Sequence, residues 1–192
     1  MIFDAARQVI LDRGFDGAKM EEIAARAGVG KGTLYNFFDS KEALFLSLVI
    51  ESFTHFRHLI DAQADAIGDP WEQIAVAWRL LMLQVFPELV QQWTFNYQLW
   101  GFIARDAEAR DRLFTRWREM YREREEHIRQ SIIDGQASGL FRRDVDAHHL
   151  ALILLSIFDG LLHRAMFDAE RIDPQSTLAG LLDLVHKVLA RS

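Results

Sequence analysis

The chain contains no cysteine. That removes disulfides, thiolate metal sites and a cysteine nucleophile from consideration, and it suits a reducing compartment. Proline is scarce, three in 192 residues. Pro70, Pro87 and Pro174 each suit the first turn of a helix, which does not need the missing N–H. Strand-like alternation bounded by turn signals is absent. So is a long apolar run. The most apolar stretch, Leu150 to Leu162, is interrupted by Ser156, Asp159 and Gly160. It falls short of the ~20 apolar residues of a spanning helix and reads as a buried helix. The N-terminal residues do not form a basic region followed by an apolar run and cleavage site. The net charge is −6, which argues against a uniformly basic nucleic-acid coat but not against a local cationic face. A soluble, cytoplasmic protein without a membrane partner is expected.

What is present is an ordinary globular composition, 50% apolar and 26% charged, in a chain long enough to bury a core. Apolar residues recur at three- and four-residue spacing. The pattern predicts helices over 1–13, 20–27, 31–37, 41–66, 70–85, 87–104, 106–137, 146–168 and 174–190. Gly14 is placed to end the first. Ser40 is placed to cap the fourth. Asp173-Pro174 opens the last. The fold class is therefore all-α, with about nine helices. The first three are too short to be stable alone and must pack on one another. The expected division is an N-terminal three-helix domain over 1–45 and a helical body over 46–192. The helix 41–66 carries an apolar stripe, Leu44, Phe45, Leu48, Val49, Phe53, Phe56, Leu59 and Ile60, and is the natural lever between them.

The informative segment runs from Met20 to Phe38. Ile23, Ala24 and Ala27 line one face of its first short helix. Gly28 permits a positive φ at the helix end, Val29 plugs the turn, and Leu34 and Phe38 face the core from the second helix. This is a helix-turn-helix pattern, in which the second helix enters the DNA major groove. Its outward residues are Lys31, Thr33, Tyr35, Asn36 and Phe37, beside Gly32. Asparagine can pair two ways with adenine, and threonine offers a hydroxyl and a methyl group. Lysine and tyrosine suit phosphates. Lys19 and Lys41 flank the motif, and the amides that follow Lys41 would add to a phosphate site. Residues 1–48 carry six cations and seven anions. Binding therefore relies on a few placed cations, with a moderate salt dependence.

At these residues the sequence resembles the TetR family of bacterial transcriptional regulators. The resemblance runs from Ile2 to Leu48. It includes Ala5-Ala6, Gly14-Phe15, Ile23-Ala24, Ala27-Gly28-Val29, Lys31-Gly32-Thr33-Leu34-Tyr35, Phe38 and Ser40-Lys41-Glu42-Ala43-Leu44. It implies a homodimeric, all-helical regulator whose C-terminal body binds a small effector and forms the dimer. Three positions depart from the family's usual pattern. Lys19 stands where a capping Ser or Thr is usual, Gly30 where Ser is common, and Phe37 where His is frequent.

Every tryptophan falls between Trp71 and Trp117. The concentration of rings reads either as core filling or as an apolar pocket with a few polar groups. The candidate pocket residues are Trp78, Met82, Phe86, Trp93, Asn96, Tyr97, Trp100, Phe114, Trp117, Tyr121 and Phe158. A neutral aromatic or fatty effector, or a lipophilic cation, suits them. The last two helices are richly apolar, and two from each of two subunits make a four-helix bundle. The candidate dimer residues are Leu154, Phe158, Gly160, Leu161, Leu181, Leu182, Val185 and Leu189. Asp159 and His163, four apart, read as a buried or interfacial hydrogen-bonded pair.

His55 and His58 have no third ligand, and His148 and His149 point apart on a helix, so no metal is expected. Nor is a cofactor. The sequence holds no Ser/His/Asp, paired-acid or phosphate-loop constellation, which argues against an enzyme. The reading is a homodimeric repressor on a palindromic double-stranded operator, released by a small hydrophobic effector. The alternative is a DNA-binding regulator without an effector, governed by a protein partner or by abundance.

Overall fold

In a computed structural model, the chain is described over residues 1–64, 66–91 and 107–190. Among these residues there is no strand. One isolated antiparallel bridge joins Phe141 to Ala190. The helices are α1 (Ile2–Gly17), α2 (Met20–Arg26), α3 (Lys31–Phe37), α4 (Lys41–Ala64), α5 (Pro70–Leu80), α6 (Phe86–Gln91), α7 (Ala107–Ser138), α8 (Ala147–Asp168) and α9 (Pro174–Leu189). The all-α fold class is that of the sequence reading. The expected helix over 87–104 is described only as far as Gln91.

The helix ends follow the capping chemistry. Ser40 Oγ accepts from the Ala43 N–H at 3.0 Å. Asp69 caps α5 through Glu72 N, and Asp173 caps α9 through Ser176 N. Gly14 leaves helical geometry at φ 69°, ψ 171° inside α1, which only glycine does without strain. Pro87 does not follow a break, contrary to the expected separation of 70–85 from 87–104. A π-helical turn, Leu81–Val85, links α5 to α6 instead, and the Phe86 N–H reaches Leu81 O. The wider turn carries the helix up to a proline that cannot donate to it.

The described residues form two compact units, 1–54 with 107–117 and 55–91 with 118–190. In the first, Ala6, Val9, Ile23, Ala24, Leu34, Leu44, Phe45 and Leu113 are buried together. In the second, Ile74, Trp78, Met82, Phe86, Ile132, Phe141, Leu154, Leu181, Val185 and Leu189 form the core. Gly135 of α7 lies directly under the Phe141 ring, with no room for a Cβ.

Three helical stretches, Lys41–Ala64, Pro70–Val90 and Ala147–Arg171, are long and apolar enough by length and composition to cross a membrane. The last contains the stretch Leu150 to Leu162, for which the sequence pattern predicts a buried helix. Only 28% of its apolar window is buried, against 47% and 50% for the other two. Leu152, Ile153 and Phe167 of α8 and Leu184 of α9 face solvent.

Candidate functional site

The turn between α2 and α3 is built by backbone hydrogen bonding. The Gly28 N–H bonds Ala25 O at 3.2 Å and the Val29 N–H bonds Ala24 O at 3.0 Å. Gly28 takes φ +69°. These are the two bonds of a Schellman motif with glycine in the left-handed position. They stop α2 and let Gly30 open α3 in an extended conformation. Neither Lys19 nor Gly30 makes a side-chain cap. The acidic first turn of α2, Glu21-Glu22, and Arg26 at its end complement the helix dipole instead.

Along α3 only Leu34 is buried. Lys31, Gly32, Thr33, Tyr35, Asn36 and Phe37 are exposed. Every member of the sequence-expected set is therefore exposed. Its most apolar member is Phe37, 69% exposed. The cations flanking this surface are less free than the sequence suggested. Lys31 Nζ pairs with Glu21 Oε1 at 2.5 Å and lies 5.7 Å from the Tyr35 ring centre. Their hydrogen bond holds the lysine above its usual range and the glutamate below. Lys41 donates to Phe15 O at 2.8 Å and Asp16 O at 3.4 Å, with its Nζ 4.6 Å from the Phe15 ring centre. Its charge is directed at the carbonyls ending α1, a placement that spacing along the chain did not reveal. Lys19 is exposed and forms no ion pair with the described residues.

The candidate pocket residues fall in different parts of the chain. Trp93, Asn96, Tyr97 and Trp100 lie outside the described residues. Phe114 and Trp117, with ring centres 6.1 Å apart, belong to the first unit. Trp78, Met82 and Phe86 are buried in the second, where Phe158 meets the Trp78 and Phe86 rings edge-on at 6.4 Å. Tyr121 donates to Asp159 Oδ1 at 2.9 Å. Burial and the Asp159 carboxylate push the phenol up, and burial pushes Asp159 up. Asp159 thus pairs with Tyr121, not with His163, whose ring packs edge-on against Phe167. A cavity of about 310 Å³ lies elsewhere in the second unit, between α4, α5 and α7.

The candidate dimer residues are also divided. Leu154, Leu181, Val185 and Leu189 are buried in their own unit. Phe158, Leu161 and Leu182 are half-buried, and Gly160 is exposed. Apolar residues run round most of α8, so its outward row could not be told from its inward one by spacing alone.

The family model for "Bacterial regulatory proteins, tetR family" matches residues 2–48. The model for "BetI-type transcriptional repressor, C-terminal" matches residues 78–190, more than half of the chain. The chain belongs to the TetR family. TetR-family members are DNA-binding transcriptional regulators, and the matched models point to the repressor type and not to an enzyme. Among curated relatives, the HTH-type transcriptional repressor DhaR of Mycobacterium sp. (strain GP1) is 26% identical over 88% of this chain and 83% of its own. Two solved structures share the TetR fold. A protein from Saccharomonospora viridis in complex with choline is 22% identical, with TM-score 0.73 and coverage of 100% and 96%. FadR from Bacillus subtilis in complex with stearoyl-CoA is 20% identical, with TM-score 0.66 and coverage of 97% of each chain.

Proposed function

We propose that this TetR-family repressor acts as a cytoplasmic homodimer on a palindromic operator and is released by a small molecule bound in its C-terminal body. Residues 1–45 read DNA and residues 46–192 bind effector and partner. The observation that carries the reading is the open surface of α3, where Lys31, Thr33, Tyr35 and Asn36 flank a single buried anchor, Leu34. Asn36 and Thr33 suit base edges. Tyr35, Lys31 and the outlying Lys19 suit phosphates, and Gly32 lets the backbone approach the duplex closely. Lys41 holds α4 to the end of α1 and so positions the reading helix.

The dimer reading is supported by the exposed apolar residues of α8 and α9, Leu152, Ile153, Phe167 and Leu184. An uncovered row of this kind marks an association surface. A second copy covers it by two-fold symmetry, which sets two reading helices in successive major-groove turns. The effector reading is supported by the cavity in the second unit and by the choline and stearoyl-CoA complexes of the two neighbours. Release follows if the effector favours a conformation with misplaced reading helices. A coupling of about 1–3 kcal/mol per site gives roughly 5–150-fold derepression.

The test begins with selection of bound duplexes from a random pool at two salt concentrations. An enriched palindrome is expected, bound by a dimer. An Ile153→Arg variant is expected to sediment as a folded monomer and to bind the selected duplex weakly. Enrichment of a single non-repeated site by a monomer would refute the dimer reading. A selected duplex that no compound in a diverse library displaces would favour control by a partner or by abundance.

A further inference from the structure

The cavity in the second unit is lined by a guanidinium, Arg124, that donates no hydrogen bond to a described residue. Ile60, Ile74 and Ile128 give it an apolar floor. One wall is α7, where Arg124, His127, Ser131 and Asp134 recur at three- and four-residue intervals and so share a face. Three of these four are engaged. His127 Nδ1 lies 3.3 Å from Asp61 Oδ1. The Ser131 hydroxyl lies 2.8 Å from Gln73 Oε1, and Asp134 accepts from Gln130 Nε2 at 2.8 Å.

Arg124 is the exception. Its guanidinium donates no hydrogen bond to a described residue. Burial pulls it below its usual range, the Asp61 charge opposes that shift, and Arg57 adds to it. Asp61 is shared with His127, and Arg57 is paired with Glu123. An arginine stays charged under such conditions. Arg124 is half-buried at the cavity wall, and a planar fork of donors is suited to a carboxylate or phosphate.

The volume, about 310 Å³, sits at the lower end of the roughly 300–1,000 Å³ of small-molecule sites. A compact ligand follows. Asp61 and Asp134 also line the cavity. Asp61 is engaged by His127 and Asp134 by Gln130, and both disfavour a ligand that carries more than one negative charge. We propose that this cavity binds a small monocarboxylate with a short apolar chain, its carboxylate on the Arg124 fork and its chain on Ile60, Ile74 and Ile128. The inference rests on the reading of the C-terminal body as the effector-binding part, and it names the chemistry of the ligand.

The test is calorimetric titration of the full chain with four probes of equal chain length: hexanoate, hexyl phosphate, hexanol and hexylamine. Hexanoate is expected to bind saturably, once per chain, and more tightly than the other three. Arg124→Gln is expected to weaken hexanoate roughly 10–100-fold, the range of a lost charge-assisted hydrogen-bond pair. Arg124→Lys, which keeps the charge but not the fork, is expected to fall between. Thermal melts confirm that both variants are folded. Equal binding of hexanol, tighter binding of hexylamine or hexyl phosphate, equal affinity in Arg124→Gln, or no binding by any probe would each overturn the proposal. Operator affinity measured with and without hexanoate is a separate readout. Hexanoate bound at Arg124 without operator release supports the site and removes the effector coupling for this ligand. Release by another compound with no hexanoate binding does the reverse.

Discussion

Replacing Lys41 by methionine separates two uses of one charge. The ammonium group holds two carbonyls at the end of α1 and lies over the Phe15 ring, while methionine keeps most of the chain's packing. Loss of a hydrogen bond to a charged group costs about 1.5–3 kcal/mol, with the lower end fitting this half-exposed site. The ring contact adds about 0.5–1 kcal/mol. A total near 2 kcal/mol lowers the melting temperature of a chain this size by roughly 4–8 °C. Binding to a selected duplex weakens because the reading helix is less firmly held, but the slope of log K against log salt is unchanged. A phosphate contact by Lys41 would instead flatten that slope by about 0.9 per chain. Calorimetric melting and a salt titration of the same variant are sufficient. An unchanged melt with a slope reduced by about 0.9 would refute the positioning role.

Other substitutions test other parts of the structure. Glu21→Gln frees Lys31 from its ion pair, so DNA affinity is expected to rise and the salt slope to steepen by about 0.9 per chain; fluorescence anisotropy at several salt concentrations reads both. Gly135→Ala drives a methyl group into the Phe141 ring, whose Cγ would lie 2.8 Å away, and is expected to cost about 1–3 kcal/mol by overpacking, seen as a lower urea midpoint. Gly28→Ala meets no atom within 4 Å, so its cost is backbone strain alone, about 1–2 kcal/mol, by the same measurement. Asp159→Asn keeps an oxygen for Tyr121. Burial raises the Asp159 carboxyl in the folded state, so the fold binds its proton more tightly than the unfolded chain does and loses stability as pH rises from 3.8 through the raised value. The variant is expected to lack that loss and to have a higher urea midpoint than the parent at pH 7.

The helix-turn-helix was legible because its determinants are local. Gly28 must take a positive φ where it stands, and Leu34 lies inward because its neighbours at three- and four-residue spacing do. What was not legible depends on partners distant in sequence. Lys41 meets carbonyls 25 and 26 residues earlier, so its exposed-looking position gave no sign of engagement. Asp159 had a plausible neighbour one turn away in His163 and takes Tyr121, 38 residues earlier, instead. The aromatic residues looked like one set because they are close in the chain, yet Trp117 packs on one core and Trp78 on the other. Arg124 stands within a run of mixed charges, Arg116 to Glu126, and spacing along that run does not single it out. Only the packing of α4 and α5 over that part of α7 distinguishes it.

On the proposed dimer reading, the bare row on α8 and α9 makes copy number part of the regulation. Where chains are dilute relative to their self-association constant, the number of dimers follows the second power of the number of chains, so halving the protein quarters the species that can span a palindrome. Operator occupancy then switches more steeply than expression does, and growth that dilutes the protein acts as a signal of its own. On the same reading, an effector arriving in a cell with few chains would find a repressor already near its threshold.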